Sequence, residues 1–176
     1  MPREEIVVPS RELSYEGIFS VSEVLDIIKR FLDESGYLRI ERVHEYKVHA
    51  DGAQIDIKGF HERKITESDV FEFDTFLMFN KIKDVEMTIQ GEKKKLNSGR
   101  VSINFKGILF TNKDKDWYRD SKKPFTQKHA VIQWISDRFV FKEHLLELRA
   151  MGKKDVDDLY ARLLEYFQAQ HYRRRS

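Results

Sequence analysis

The sequence predicts an α+β fold: a single curved antiparallel sheet of about six strands, with N-terminal and C-terminal helices packed on one face. Three observations lead there. Residues 37–111 read as one run of strands with no helical period inside it. A strand and a helix come before that run, between Leu13 and Ser35. Helical periodicity then fills Phe125 to His171. Strands grouped apart from helices form an antiparallel sheet, whereas regular alternation would build a parallel one.

In chain order, residues 1–12 read as a flexible tail, 13–171 as one domain and 172–176 as a basic tail. Leu13 to Phe19 forms a short strand. Ser20 and Glu23 match the capping box that opens a helix. Val21, Val24, Leu25, Ile28, Phe31 and Leu32 then give it one apolar stripe, and Gly36 ends it. Asp51-Gly52 signals a two-residue hairpin turn. Pairing outward from that turn sets Val48 opposite Ile55, Tyr46 opposite Ile57, Lys47 opposite Asp56 and Glu45 opposite Lys58. Apolar pairs then fall on one face and charged pairs on the other.

Val70 to Asn80 reads as a fourth strand, with Phe71, Phe73, Leu77 and Phe79 on one face. Asp84 to Gln90 reads as a fifth, and Lys94 to Phe110 as a sixth, with a bulge at Asn97-Ser98-Gly99. Residues 111–124 form a polar loop. The C-terminal periodicity divides at Gly152 into two helices. Asp155 caps the second, and Val156, Leu159, Tyr160, Leu163, Leu164 and Phe167 supply its buried stripe.

Composition narrows the function classes. The 176 residues suit one domain, and 40% hydrophobic content supports a sizeable core. Thirty-two basic residues against 30 acidic ones, net +2, lack the lopsided charge of a dedicated duplex-DNA binder. The absence of cysteine excludes disulfides, thiolate metal sites and cysteine nucleophiles. No window reaches the roughly 18 apolar residues of a membrane span, and residues 1–10 lack an export-type apolar stretch. These features lead us to expect a cytoplasmic protein.

The layout resembles the helix-grip fold of the START and Bet v 1-like superfamily, in which a curved antiparallel sheet wraps a long C-terminal helix. The matching parts are Leu13–Phe19, Val21–Ser35, the strands from Tyr37 to Phe110 and the helix Asp155–Ala169. The resemblance covers nearly the whole chain but lies in element order. One longer helix stands where that family usually has two short ones, and the helix from Phe125 to Leu148 has no counterpart. The phrases YEGIFS (15–20), KKLNSGRVSI (94–103) and KPF (123–125) are similar to those of uncharacterised archaeal proteins, which carry no activity to transfer. The helix-grip resemblance implies a hydrophobic cavity between sheet and helix for a lipid-like or aromatic molecule.

Strand parity adds a polar element. It aims Arg42 and His44 toward the core and sets His61 opposite Arg42, a polar patch among apolar walls formed by Phe73, Phe105 and Leu163. Arg42 would hold an anionic head group there. The competing reading is a bulge near Val43 and Phe60 that reverses the facing. A second possible site is the loop with Trp117, Tyr118, Arg119, Lys122 and Lys123, which could stack and clamp RNA or a protein partner, helped by Arg173, Arg174 and Arg175. Glu72 and Asp74 share one strand face, the pattern of solvated surface rather than of a catalytic pair. The histidines, His129 and His144 included, have no metal-ligand spacing. No catalytic, metal or cofactor motif is found. The expected function is non-enzymatic binding of a hydrophobic or amphiphilic small molecule; the alternative is a protein- or RNA-interaction module.

Overall fold

The computed structural model describes residues 3–66, 69–89, 91–111 and 127–173, with side chains in these segments except at 3–9, 39–42, 127–143 and 172–173. The order is β1 (Arg3–Phe19), α1 (Val21–Glu34), β2 (Leu38–His49), β3 (Gly52–Lys64), β4 (Val70–Ile89), β5 (Glu92–Thr111) and α2 (Gln127–Arg173). The strands form one five-stranded antiparallel sheet in the order β1-β5-β4-β3-β2, and α2 packs on it. The α+β class and the single antiparallel sheet follow the sequence reading. Four details do not.

The first is the strand count. The expected fourth and fifth strands are one strand, β4, which continues through a bulge between Asn80 and Lys83. Lys81 takes a left-handed backbone there, φ 55°. This lets the chain kink and resume pairing, so Phe79 and Ile82 both remain buried although they are three residues apart. Glycines make room for the kink. A Cβ on Gly52 would lie 2.6 Å from the Lys81 carbonyl carbon, and one on Gly99 would lie 2.8 Å from the Asn80 oxygen.

The second is the β2–β3 register. His49 pairs with Gly52, so Ala50-Asp51 forms the turn; Val48 faces Ala53, Tyr46 faces Ile55, Lys47 faces Gln54 and Glu45 faces Asp56. The expected pairing is corrected by two residues. Gly52 is used for its close approach to Lys81 rather than as a turn-centre residue. The facing of each residue survives a shift of two. The expected burial of Val48 does not: Val48 is 73% exposed and Tyr46 63%.

The third is the N-terminus. Residues expected to be a tail pair with β5, from Arg3 opposite Thr111 onward, with irregular register between Ile6 and Arg11. The fourth is Gly152, which lies inside a continuous 47-residue helix rather than between two. A Cβ there would lie 2.1 Å from Phe71 Cε2, and one on Gly107 would lie 2.8 Å from Phe71 Cζ. The Phe71 ring thus sits between a helix glycine and a strand glycine, and α2 closes onto the sheet through that gap. No described helix is long and apolar enough to cross a membrane.

The start of α1 is a modified capping box. Ser20 Oγ accepts from the Glu23 N–H at 3.3 Å. The return bond is relayed: the Ser20 N–H donates to Tyr166 Oη at 2.9 Å, and that hydroxyl donates to Glu23 Oε2 at 2.8 Å. The cap therefore also ties α1 to α2. Gly36, φ 75°, ends α1, with the Tyr37 N–H returning to the Leu32 carbonyl. Val24, Ile28, Phe31 and Leu32 of α1 join Val156, Leu159, Leu163 and Phe167 of α2 and Phe71, Phe73, Leu77, Phe79 and Ile82 of β4 in one core.

Candidate functional site

Inward and outward positions on the sheet have different characters. On β4 the inward residues Phe71, Phe73, Thr75, Leu77 and Phe79 are buried, and those between them are half-buried. The outward positions form rows across the strands. One row runs Val43–Lys58–Phe76–Asn104. The next runs Ile40–Phe60–Asp74–Lys106. Val43, Phe60 and Phe76 are among the residues at positions where a one-sided sheet would carry polar ones.

These rows border a groove of about 400 Å³, lined by Ser10, Val43, Lys58, Phe60, Asp74, Phe76, Asn104 and Lys106, with Gly59 and Thr75 in its floor. The volume lies in the ~300–1,000 Å³ range of small-molecule sites. Lys58 Nζ stands 5.0 Å from the Phe76 ring centroid, a cation–π distance. Ser10 Oγ donates to Asn104 Oδ1 at 2.5 Å and fixes the far wall on β1. The groove offers aromatic surface, two ammonium groups and one carboxylate. A second cleft at the Lys81 bulge is lined by charges that already face each other, Glu16 with Arg100 at 2.6 Å and Asp51 with Lys81 at 3.4 Å. A ligand there would have to displace these pairs.

The residues singled out by sequence fall in several places. Arg42 is the extra residue of a bulge between Glu41 and Val43, and its side chain lies outside the described residues. A bulge is therefore present where the competing reading put one, but Val43 and Phe60 line the outward groove rather than turning to the core. His44 is exposed and faces Ile57. His61 is buried, faces Arg39 rather than Arg42, and lies 3.0 Å from Thr75 Oγ1. His44 and His61 are therefore not cross-strand neighbours. Phe73, Phe105 and Leu163 are buried in the core, the two rings stacked at 6.1 Å. Trp117, Tyr118, Arg119, Lys122 and Lys123 lie outside the described residues, as do Arg174 and Arg175. Glu72 and Asp74 share the outward face. His144 Nε2 lies 3.2 Å from Asp69 Oδ2, and among the described residues no three acidic, histidine or cysteine side chains are grouped to hold a metal.

Sequence reasoning missed Lys58, Phe76, Asn104 and Lys106. The available signal was Phe60 and Phe76 at outward parity, each two residues from a charged neighbour on its strand.

It also missed a buried polar cluster. Arg63 Nη2 lies 2.6 Å from Asp155 Oδ2, and Nη1 donates to the Ser35 carbonyl at 3.0 Å. Tyr37 Oη donates to Asp155 Oδ2 at 2.7 Å, and the Arg63 guanidinium sits 4.8 Å over the Tyr37 ring. Asp155, expected to cap a helix, instead joins α2 to β3 and to the end of α1. Burial first, and then the Asp155 carboxylate, push the Tyr37 phenol well above its ordinary pKa of 10.0, against an opposing effect of Arg63. A raised pKa means that the folded state keeps the phenol neutral while the unfolded chain ionises it. This contribution is complete below pH 10.0 and declines as pH rises above it. Tyr37→Phe should therefore be less stable than wild type at neutral pH but lose less stability under alkali. Melting temperatures of both proteins across that range check this, and parallel declines would refute it.

Comparison with protein-family models and with curated proteins finds no match to this chain.

Proposed function

We propose that the protein is a non-enzymatic binder of an amphiphilic small anion, held in the outward groove of the sheet. The observation that carries this reading is Phe60 and Phe76 flanked by the Lys58 and Lys106 ammonium groups in one small-molecule-sized groove. A flat or aliphatic body would cover the rings, and a carboxylate or similar head would meet the lysines. Asp74 would repel a second negative charge and favour a monoanion.

The pairing of β1 with the last strand and a C-terminal helix laid on one face support the helix-grip resemblance. The position which that resemblance gives to a ligand, between sheet and helix, is where Phe73, Phe105 and Leu163 pack. The outward groove is for that reason the better seat. Binding of RNA or protein through Trp117, Tyr118, Arg119, Lys122 and Lys123 remains the second reading.

Titration calorimetry with 2-naphthoate and dodecanoate as probes tests the proposal. A charged hydrogen bond contributes ~1.5–3 kcal/mol, so Lys58→Met and Lys106→Met should each weaken binding about tenfold or more. Phe76→Ala should weaken it as well, and added salt should reduce it. Unchanged affinity in all three variants, or no binding of either probe, would overturn the reading. Tight binding of a uridine oligonucleotide that is lost on Lys122→Ala and Lys123→Ala would favour the second.

A further inference from the structure

β2 is the last strand of the sheet, and among the described residues nothing pairs with its outer edge. Such an edge is a template for another strand unless proline, a short length, a bulge or charges that the incoming strand cannot match blunt it. β2 spans Leu38–His49 without proline and exposes large apolar side chains, Leu38 at 66%, Tyr46 at 63% and Val48 at 73%.

The usable length of this edge is defined. The bulge at Arg42 interrupts it on one side and the Ala50-Asp51 turn on the other. The regular segment between them is Val43–His49, and its middle residue is Tyr46. An antiparallel strand of the same sequence, related by a two-fold axis at Tyr46, would pair throughout: Tyr46 with Tyr46, Glu45 with Lys47, His44 with Val48, Val43 with His49. The charges match. Glu45 and Lys47 are both exposed and lie 2.9 Å apart within one strand, so each would exchange its neighbour for the same group on the facing strand. On the other face Tyr46 would meet its own counterpart, and Val48 would lie opposite His44 and diagonal to the facing Tyr46.

Backbone direction agrees. Along an antiparallel strand, successive residues turn their N–H and C=O groups alternately to one side and the other. His49 closes the hairpin with Gly52. Counting back from it, Val48, Tyr46 and His44 direct theirs to the open edge, and these are the residues that the two-fold would hydrogen-bond.

We propose that β2 is a self-association surface, which joins two copies of this chain through residues 43–49 into one continuous sheet. Sedimentation of the full chain over roughly 1 μM to 1 mM should show a reversible dimer. Lys47→Glu sets like charges opposite and should raise the dissociation constant about tenfold or more; adding Glu45→Lys should restore it. Tyr46→Pro removes an N–H directed to the open edge, where proline is tolerated, so circular dichroism should be unchanged while the dimer is lost.

The chain has no cysteine, so cross-linking reads the register directly. Tyr46→Cys should give a covalent dimer on mild oxidation, since facing residues lie about 5.5 Å apart at Cα in a hydrogen-bonded pair, and Lys47→Cys should not. A wild-type monomer throughout the range, a Tyr46→Pro dimer as strong as wild type, or preferential cross-linking of Lys47→Cys would each overturn the proposal.

Discussion

Asp155→Ala should destabilise the protein by about 3–5 kcal/mol, the cost of removing one member of a buried ion pair. The side chains of Arg63 and Asp155 are only 17% and 13% exposed. Removing the carboxylate therefore leaves the guanidinium with little water to replace it. The Tyr37 hydroxyl loses its acceptor in the same step. Geometry makes the loss larger than that of a surface pair, because three chain segments meet at this carboxylate: β3 through Arg63, the residues after α1 through Tyr37, and α2 itself. Exposed ion pairs such as Arg162 with Glu34, 2.7 Å apart, are worth ~1 kcal/mol or less. Urea midpoints of Asp155→Ala and Glu34→Ala should thus differ several-fold in their displacement from wild type. A further comparison separates the pair's net value from the penalty of an unpaired charge. Asp155→Leu combined with Arg63→Met replaces both ions by apolar groups and should recover part of the stability lost in Asp155→Ala. An Asp155→Ala protein within about 0.5 kcal/mol of wild type, as for an ordinary surface substitution, would show that the cluster contributes nothing.

Periodicity made some elements legible and hid others. The α1 stripe and the second α2 stripe are strong 3.6-residue patterns, and Val24, Phe31, Val156 and Leu163 are buried as those patterns require. Capping at Ser20 and termination at Gly36 are local effects, and local sequence carried them. Gly52 and Gly152 misled because glycine has two uses. It permits unusual backbone angles, which reads as a turn or a stop, and it permits close approach, which depends on a partner distant in sequence. Lys81 for Gly52 and Phe71 for Gly152 could not be known from a local window. The join of the fourth and fifth expected strands failed for a related reason. A single left-handed residue at Lys81 is rare outside glycine and asparagine, so the polar stretch around it read as a break. The groove was half visible. Outward Phe60 and Phe76 were in the pattern, but which strands lay side by side, and so which lysines stood near them, depended on the pairing.

Leu163→Ala should cost ~2–5 kcal/mol, through lost transfer energy and the cavity left behind. Leu163 has no exposed surface and belongs to the stripe of Val156, Leu159 and Phe167 that α2 lays against the sheet and α1. Leu146 is a control within the same helix: it is 51% exposed, so Leu146→Ala removes the same atoms and makes the same change in helix propensity without opening a core cavity. Its cost should stay within about 0.5 kcal/mol. At ~2–4 °C per kcal/mol for a chain of this size, Leu163→Ala should melt roughly 4–20 °C below wild type. The pair of variants isolates packing from propensity, because only position differs. Equal losses at the two sites would mean that α2 is stabilised by its own helicity and rests on the sheet without supplying its core. A large loss at Leu163 alone would make the C-terminal half of α2 part of the same cooperative unit as β4 and β5. The outward groove and the β2 edge would then be presented by a sheet whose back is held rigid.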